Sequence, residues 1–184
     1  MRRSVGETID DISLPAVDGT DFRLEHIEGK RFMLSFFRFA ACPFCNLRVH
    51  ELVTRFHEFG NNFTIVAIFD SSPENLRRHA ERHRSPFPIL ADEHNVYYRE
   101  YGVERSLAGT LKGAAMRMPS VLHALFAKGY WPTSFGGKLT TMPANFLVDE
   151  QRIIRVTHYG RDEADHLPIE MVRTFALAPP TRLR

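Results

Sequence analysis

Cys42-Pro43-Phe44-Cys45 is the stretch whose residue types and spacing can do chemistry. A thiolate attacks peroxides and disulfides where a thiol does not, and a second cysteine three residues on can close a disulfide with the first. Such a pair needs a device that favours the anion. A buried strand running straight into a helix supplies one, because first-turn N–H groups have no intrahelical partner and the helix dipole is positive there. Cys42 then falls at the N-cap and Pro43 at a first helical position, where the N–H that proline lacks would have gone unpaired. An environment of this kind lowers a cysteine from about 8.5 to roughly 3.5–7.5. The expectation is attack by Cys42 and resolution by Cys45, with Cys45 the deeper of the two.

Other uses of the pair are less well supported. A structural zinc site usually takes four ligands, and the chain has only these two cysteines. His50 and His57 lie too far along the presumed helix to complete a compact tetrahedron. Haem attachment needs a histidine directly after the second cysteine, and Asn46 stands there. Two inert core cysteines remain the alternative, since free cysteine often packs as a small apolar residue. The sequence implies no metal and no other cofactor.

The elements that position the pair are legible around it. Met33 to Phe39 is apolar and aromatic apart from Ser35 and Arg38, as in a central strand covered on both faces. Beyond the cysteines, Leu47, Leu52, Phe56 and Phe59 recur at near-helical spacing. Phe63 to Asp70 reads as a second central strand, and strand, helix, strand implies a parallel pair. Ser72-Pro73-Glu74 opens a helix to about His83, with Arg77, Arg78, Arg82 and Arg84 on a solvated face. Upstream, Ile12–Val17 and Phe22–Leu24 form a hairpin turned by Asp18-Gly19. Leu107, Leu111, Ala115 and Met118, then Val121, Leu122, Leu125 and Phe126, predict two helices across Pro119, followed by an aromatic loop. This insert, around 104–138, packs on the sheet; alternatively it walls the thiol site or makes a homodimer contact. Ala144–Asp149 and Ile153–Tyr159 predict a hairpin. A last helix over Ala164–Leu177 turns Leu167, Met171, Val172 and Phe175 inward.

With 184 residues, 43% hydrophobic content and 15 Phe, the chain suits one domain over 1–184. A net charge of +2 with scattered basic residues suggests no nucleic-acid groove. No apolar run suggests a signal peptide or membrane span, so a cytoplasmic location without membrane association is expected, and two cysteines suit a reducing compartment.

Val5-Gly6, Asp11, Leu14-Pro15, Asp18-Gly19, Leu24 and Gly29-Lys30, ahead of the apolar strand and cysteine, resemble the opening of peroxiredoxin-like proteins of the alkyl hydroperoxide reductase and thiol-specific antioxidant family. Phe87-Pro88-Ile89-Leu90-Ala91-Asp92 and Tyr101-Gly102-Val103 resemble later parts of the same family. The resemblance implies an α/β thioredoxin-like fold: a central mixed sheet flanked by helices, with an N-terminal β-hairpin and the 104–138 insert. It also implies that Met142–Pro143 is a cis bond beside the cysteine turn, leaving a backbone edge for a substrate peptide. In the family, the reactive cysteine lies in a Pro-x-x-x-Thr-x-x-Cys loop. Laid on this chain, Arg38 stands at the proline, Cys42 at the threonine and Cys45 at the peroxidatic cysteine. An arginine that holds peroxide, three residues before Phe-x-x-Asp, corresponds to Pro143. Arg38 and Arg48 are the candidates to substitute for it, Arg48 projecting to solvent being the alternative. Pro43-Phe44 also resembles glutaredoxins locally.

These departures move the site from peroxide activation toward thioredoxin-type dithiol exchange, in a thiol-dependent redox protein that cycles Cys42 and Cys45 between dithiol and disulfide to reduce disulfides or peroxides. Pro43, Phe44, Met142, Pro143, Arg38 and Arg48 would orient the substrate, and thioredoxin or glutathione would be the reductant. The alternatives are a hydroperoxide-reducing thiol peroxidase working through sulfenic acid, and a non-catalytic peptide-binding thioredoxin-fold module.

Overall fold

The computed structural model describes residues 1–103 and 140–180; the 104–138 insert and the basic tail from Thr181 lie outside the described residues. The described elements run β1 (Ser13–Pro15), β2 (Asp21–Arg23), β3 (Arg31–Phe37), α1 (Pro43–Thr54), β4 (Phe63–Phe69), α2 (Pro73–Ala80), β5 (Ile89–Ala91), α3 (Val96–Glu100), β6 (Ala144–Val148), β7 (Ile154–Tyr159) and α4 (Ile169–Leu177). Short 3-10 turns follow β2, α1 and α2. Strands β1 and β2 form the expected hairpin. The main sheet has the order β5-β4-β3-β6-β7, with β3, β4 and β5 parallel and β6 and β7 antiparallel.

Successive side chains of a strand point to opposite faces, and a sheet covered twice must be apolar at every position. Met33, Phe37, Ile65, Ala67 and Phe69 pack under α1, α2 and α4 with both cysteines. Phe32, Leu34, Phe36, Val66, Ile68 and Phe146 face the N-terminal segment and the α3 tyrosines. That is why β3 and β4 read as unbroken apolar runs. Ser35, the polar exception in β3, accepts a 2.7 Å hydrogen bond from Asn145 Nδ2 across the β3/β6 register. This is the pairing a buried hydroxyl requires.

Several element boundaries differ from the sequence reading for local reasons. Strand β3 starts at Arg31 and stops before Arg38, where the chain leaves the sheet for the turn. Helix α2 begins where Ser72 caps it, Oγ accepting from Asn75 N. At the start of α3, Asp92 accepts from the amides of Val96 and Tyr97 while Asn95 takes φ 55°. Helix α4 begins only after Pro168, so its inward face is Ile169, Val172 and Ala176. Met171, expected inward, is 45% exposed, whereas Leu167 is buried ahead of the helix and Phe175 is half-buried. Arg77, Arg78, Arg82 and Arg84 are exposed as expected.

Candidate active site

Three strand ends converge where the chain leaves β3. Asp70, just past β4, donates its N–H to the Arg38 carbonyl at 3.2 Å. Tyr98 on α3 brings its buried hydroxyl to the carbonyls of Phe37 (2.5 Å) and Ile68 (2.9 Å). The Asp70 carboxylate accepts from Asn95 Nδ2 (2.7 Å) and Thr141 Oγ1 (2.9 Å), tying the segment before β6 to the same corner. From this frame the chain turns at Phe39–Cys42, closed by Cys42 N–H to Phe39 O (3.0 Å), and enters α1.

Cys42 occupies the N-cap of α1 with extended φ/ψ (−66°, 121°), and Pro43 follows at the start of the helix. Both cysteines are fully buried. They lie within mutual hydrogen-bonding reach, both as free thiols. Arg38 touches both: Nη1 is 3.6 Å from Cys42 Sγ, and the backbone N–H donates to Cys45 Sγ at 3.4 Å. Burial opposes a charge on Cys42. The hydrogen bond from Cys45, the Arg38 guanidinium and the amides of Cys45 and Phe44 outweigh it and bring the thiol down to about 7. Cys42 Sγ closes no cap hydrogen bond of good geometry, so those amides act on it as oriented dipoles. Burial, then the hydrogen bond to Cys42 and its charge, push Cys45 well above the ordinary thiol range, with Arg38 only partly opposing them. One thiolate beside one retained thiol is the division that attack and resolution require.

The other expected site residues separate into two groups. Phe44 is buried over the turn and, with Leu47, Arg48 and the 164–169 segment, lines a cavity of about 450 Å³. Arg48 neither reaches the sulfurs nor projects freely into solvent. Its guanidinium lies against Glu51 (2.8 Å) and the Leu167 carbonyl (2.6 Å), bracing α1 against the approach to α4. Met142 and Pro143 are buried and directly precede β6, whose first residue pairs with Phe36. The Met142–Pro143 bond is trans, contrary to the expected cis form. The Pro143 carbonyl accepts from Gly160 N–H at 2.8 Å, so this part of the edge is already engaged. Gly160 permits the approach, since a Cβ there would stand 2.7 Å from Pro143 Cγ.

Sequence reasoning missed Asn46, His83, Asp70 and Tyr98. Asn46 is 2% exposed and bonds the carbonyls of Ala40 and Cys42 and the His83 ring. An amide directly after the second cysteine, in the first helical turn, was the available signal. His83 is 37 residues away in sequence and left none.

Residues 5–157 match the AhpC/TSA family. The chain is 28% identical over 109 residues to the chloroplastic peroxiredoxin Q of Populus jackii, a match covering 59% of this chain and 51% of that protein. It therefore spans about half the length of that relative. Peroxiredoxin Bcp of Escherichia coli K12 is 27% identical over 122 residues, covering 65% of this chain and 78% of its own. The crystal structure of peroxidoxin BcpB from Mycobacterium tuberculosis superposes with a TM-score of 0.65 at 19% identity, over 94% of this chain and 95% of that one. The last likeness carries the fold, a thioredoxin-like mixed sheet flanked by helices. With the family match over most of its length, the chain belongs to the AhpC/TSA family.

Proposed function

We propose that this chain, as one domain, is a thiol-dependent reductase of hydroperoxides in which Cys42 attacks and Cys45 resolves. The observation that carries the reading is the Arg38 guanidinium 3.6 Å from a Cys42 sulfur that is fully buried and lowered to about 7. A buried thiolate beside a cation suits an oxidant of a few atoms, and positioned charge lowers the barrier where the departing oxygen gains electrons. The thiolate takes the nearer oxygen of ROOH, and the O–O bond breaks to give Cys42 sulfenic acid and, with a proton, ROH. The Cys45 thiol then displaces water and closes the disulfide, which thioredoxin or glutathione reopens at the cost of two thiols. Dithiol and ROOH thus yield disulfide, ROH and water. We place the protein in the cytoplasm, where such reductants are held.

A second reading, exchange with protein disulfides, is favoured by Pro143 standing where the family carries an arginine for peroxide. Stopped-flow peroxide consumption and insulin-disulfide reduction on wild type, Cys42→Ser and Cys45→Ser decide between them. Wild type should consume peroxide over many turnovers. Cys42→Ser should consume none, and Cys45→Ser should stall after one equivalent with a trappable sulfenic acid on Cys42. Wild-type peroxide consumption by Cys42→Ser would overturn the assignment. Insulin reduction without peroxide consumption would favour exchange, and neither activity would leave the peptide-binding module.

A further inference from the structure

The polar groups of Asn46 are all committed around the cysteine turn. Nδ2 donates to the Ala40 carbonyl at 2.8 Å and to the Cys42 carbonyl at 2.9 Å, while Oδ1 meets His83 Nε2 at 2.8 Å. A primary amide has two N–H donors and an acceptor oxygen, so this orientation is fixed by its partners. Turned over, Oδ1 would face two carbonyl oxygens. His83 must then carry its proton on Nε2 and donate it. Burial, followed by the charges of Arg82 and His50, lowers His83 to about 4, so a neutral ring does this above that range.

The Cys42 carbonyl also accepts the Asn46 backbone N–H at 3.0 Å, the opening bond of α1. One residue therefore holds it through main chain and side chain together, directed along the helix. The Ala40 carbonyl is held by the same side chain. These two oxygens are the negative ends of peptide dipoles in the turn that carries Cys42, one of them Cys42's own. Holding them on Asn46 keeps them off the anion and keeps the first-turn amides of Phe44 and Cys45 directed at it. The titratable and charged groups that bear on this assembly are Arg38 and Cys45 at Cys42, Tyr98 from α3 at Cys45, and Arg82 and His50 at His83.

We propose that Asn46 and His83 are a positioning pair that sets the acidity of Cys42 and, through it, the dithiol–disulfide balance of the turn. His83 acts on Cys42 through Asn46. The inference rests on the reading of Cys42 as nucleophile, yet its test does not require peroxide turnover.

The test follows Cys42 thiolate absorbance against pH in the Cys45→Ser background, and in the dithiol protein the equilibrium with a glutathione redox buffer. The variants are His83→Phe, His83→Gln and Asn46→Ala. His83→Phe keeps a ring without a donor. It should move the Cys42 midpoint upward, slow iodoacetamide alkylation at pH 6.5 by roughly three- to tenfold, and shift the glutathione equilibrium toward the disulfide. His83→Gln, which can still donate, should restore most of each effect. Asn46→Ala should exceed His83→Phe, and if it fails to fold the two His83 variants decide alone. A folded His83→Phe protein with wild-type titration and glutathione equilibrium would overturn the proposal, whatever its unfolding midpoint. If the titration shifts but wild type consumes no peroxide, the positioning pair stands and the hydroperoxide reading falls.

Discussion

Replacing Arg38 with methionine separates charge from packing at the cysteine turn, because the aliphatic stem is largely kept and the guanidinium 3.6 Å from Cys42 Sγ is lost. The Cys42 midpoint should rise, and alkylation at pH 7 should slow by roughly three- to tenfold, read as the rate of iodoacetamide incorporation. In wild type the same rate should climb through about pH 7 and then level, since the thiolate fills above the depressed value. A thiol lowered by folding adds stability that is fully present above its ordinary range and is lost as pH falls through about 7. The placement of Cys42, Pro43 and Cys45 at the start of α1 was legible because helix N-termini are specified locally. Arg38 was legible because it directly follows the strand, at the start of the turn. Arg48 was not: its destination, the Leu167 carbonyl, is 119 residues away and was chosen by tertiary packing. His83 escaped for the same reason, its partner Asn46 lying 37 residues away.

At the scale of elements, β3 and β4 were readable from composition because both of their faces are covered, whereas α4 was misphased. A window running from Ala164 put Met171 inward, but Pro168 delays the helix and the inward stripe becomes Ile169, Val172 and Ala176. The loop before β6 was located correctly and given the wrong peptide isomer. What holds that loop is contact: Pro143 lies against Gly160, and an alanine there would bring Cβ to 2.6 Å from the Asp165 carbonyl oxygen. Gly160→Ala should cost about 1–3 kcal/mol, seen as a lower urea midpoint. Asn145 couples elements differently, giving Nδ2 to Ser35 and taking the Leu167 N–H at 3.0 Å on Oδ1. Asn145→Ala strands a buried hydroxyl and a buried amide. It should cost about 1–3 kcal/mol for each group left unpaired, less whatever water recovers, by the same measurement.

Across the whole molecule, the parallel pairing of β3 with β4 follows from strand, helix, strand, and the mixed sheet was carried by family resemblance, but no periodicity discloses the order β5-β4-β3-β6-β7. Nor did the sequence disclose what holds the segment that closes α4. Arg31, 4% exposed at the start of β3, pairs with Glu150 in the β6–β7 turn and donates to the carbonyls of Phe175, Ala178 and Pro179. Arg31→Met leaves the Glu150 side chain, only 11% exposed, without this cation. It should cost about 3–5 kcal/mol in denaturant unfolding and speed amide exchange in α4 before it does so in β3.

The closeness of Cys42 and Cys45 in one helical turn also has a thermodynamic side. Oxidation would close a ring of only about four residues, and the chain-entropy relation gives such a crosslink about 2 kcal/mol, against about 4.7 for a hundred-residue loop. Little of the unfolded ensemble is removed, so the oxidised and dithiol forms should melt within several degrees of each other. A bond that staples so little can be handed to the next thiol at little expense to the fold.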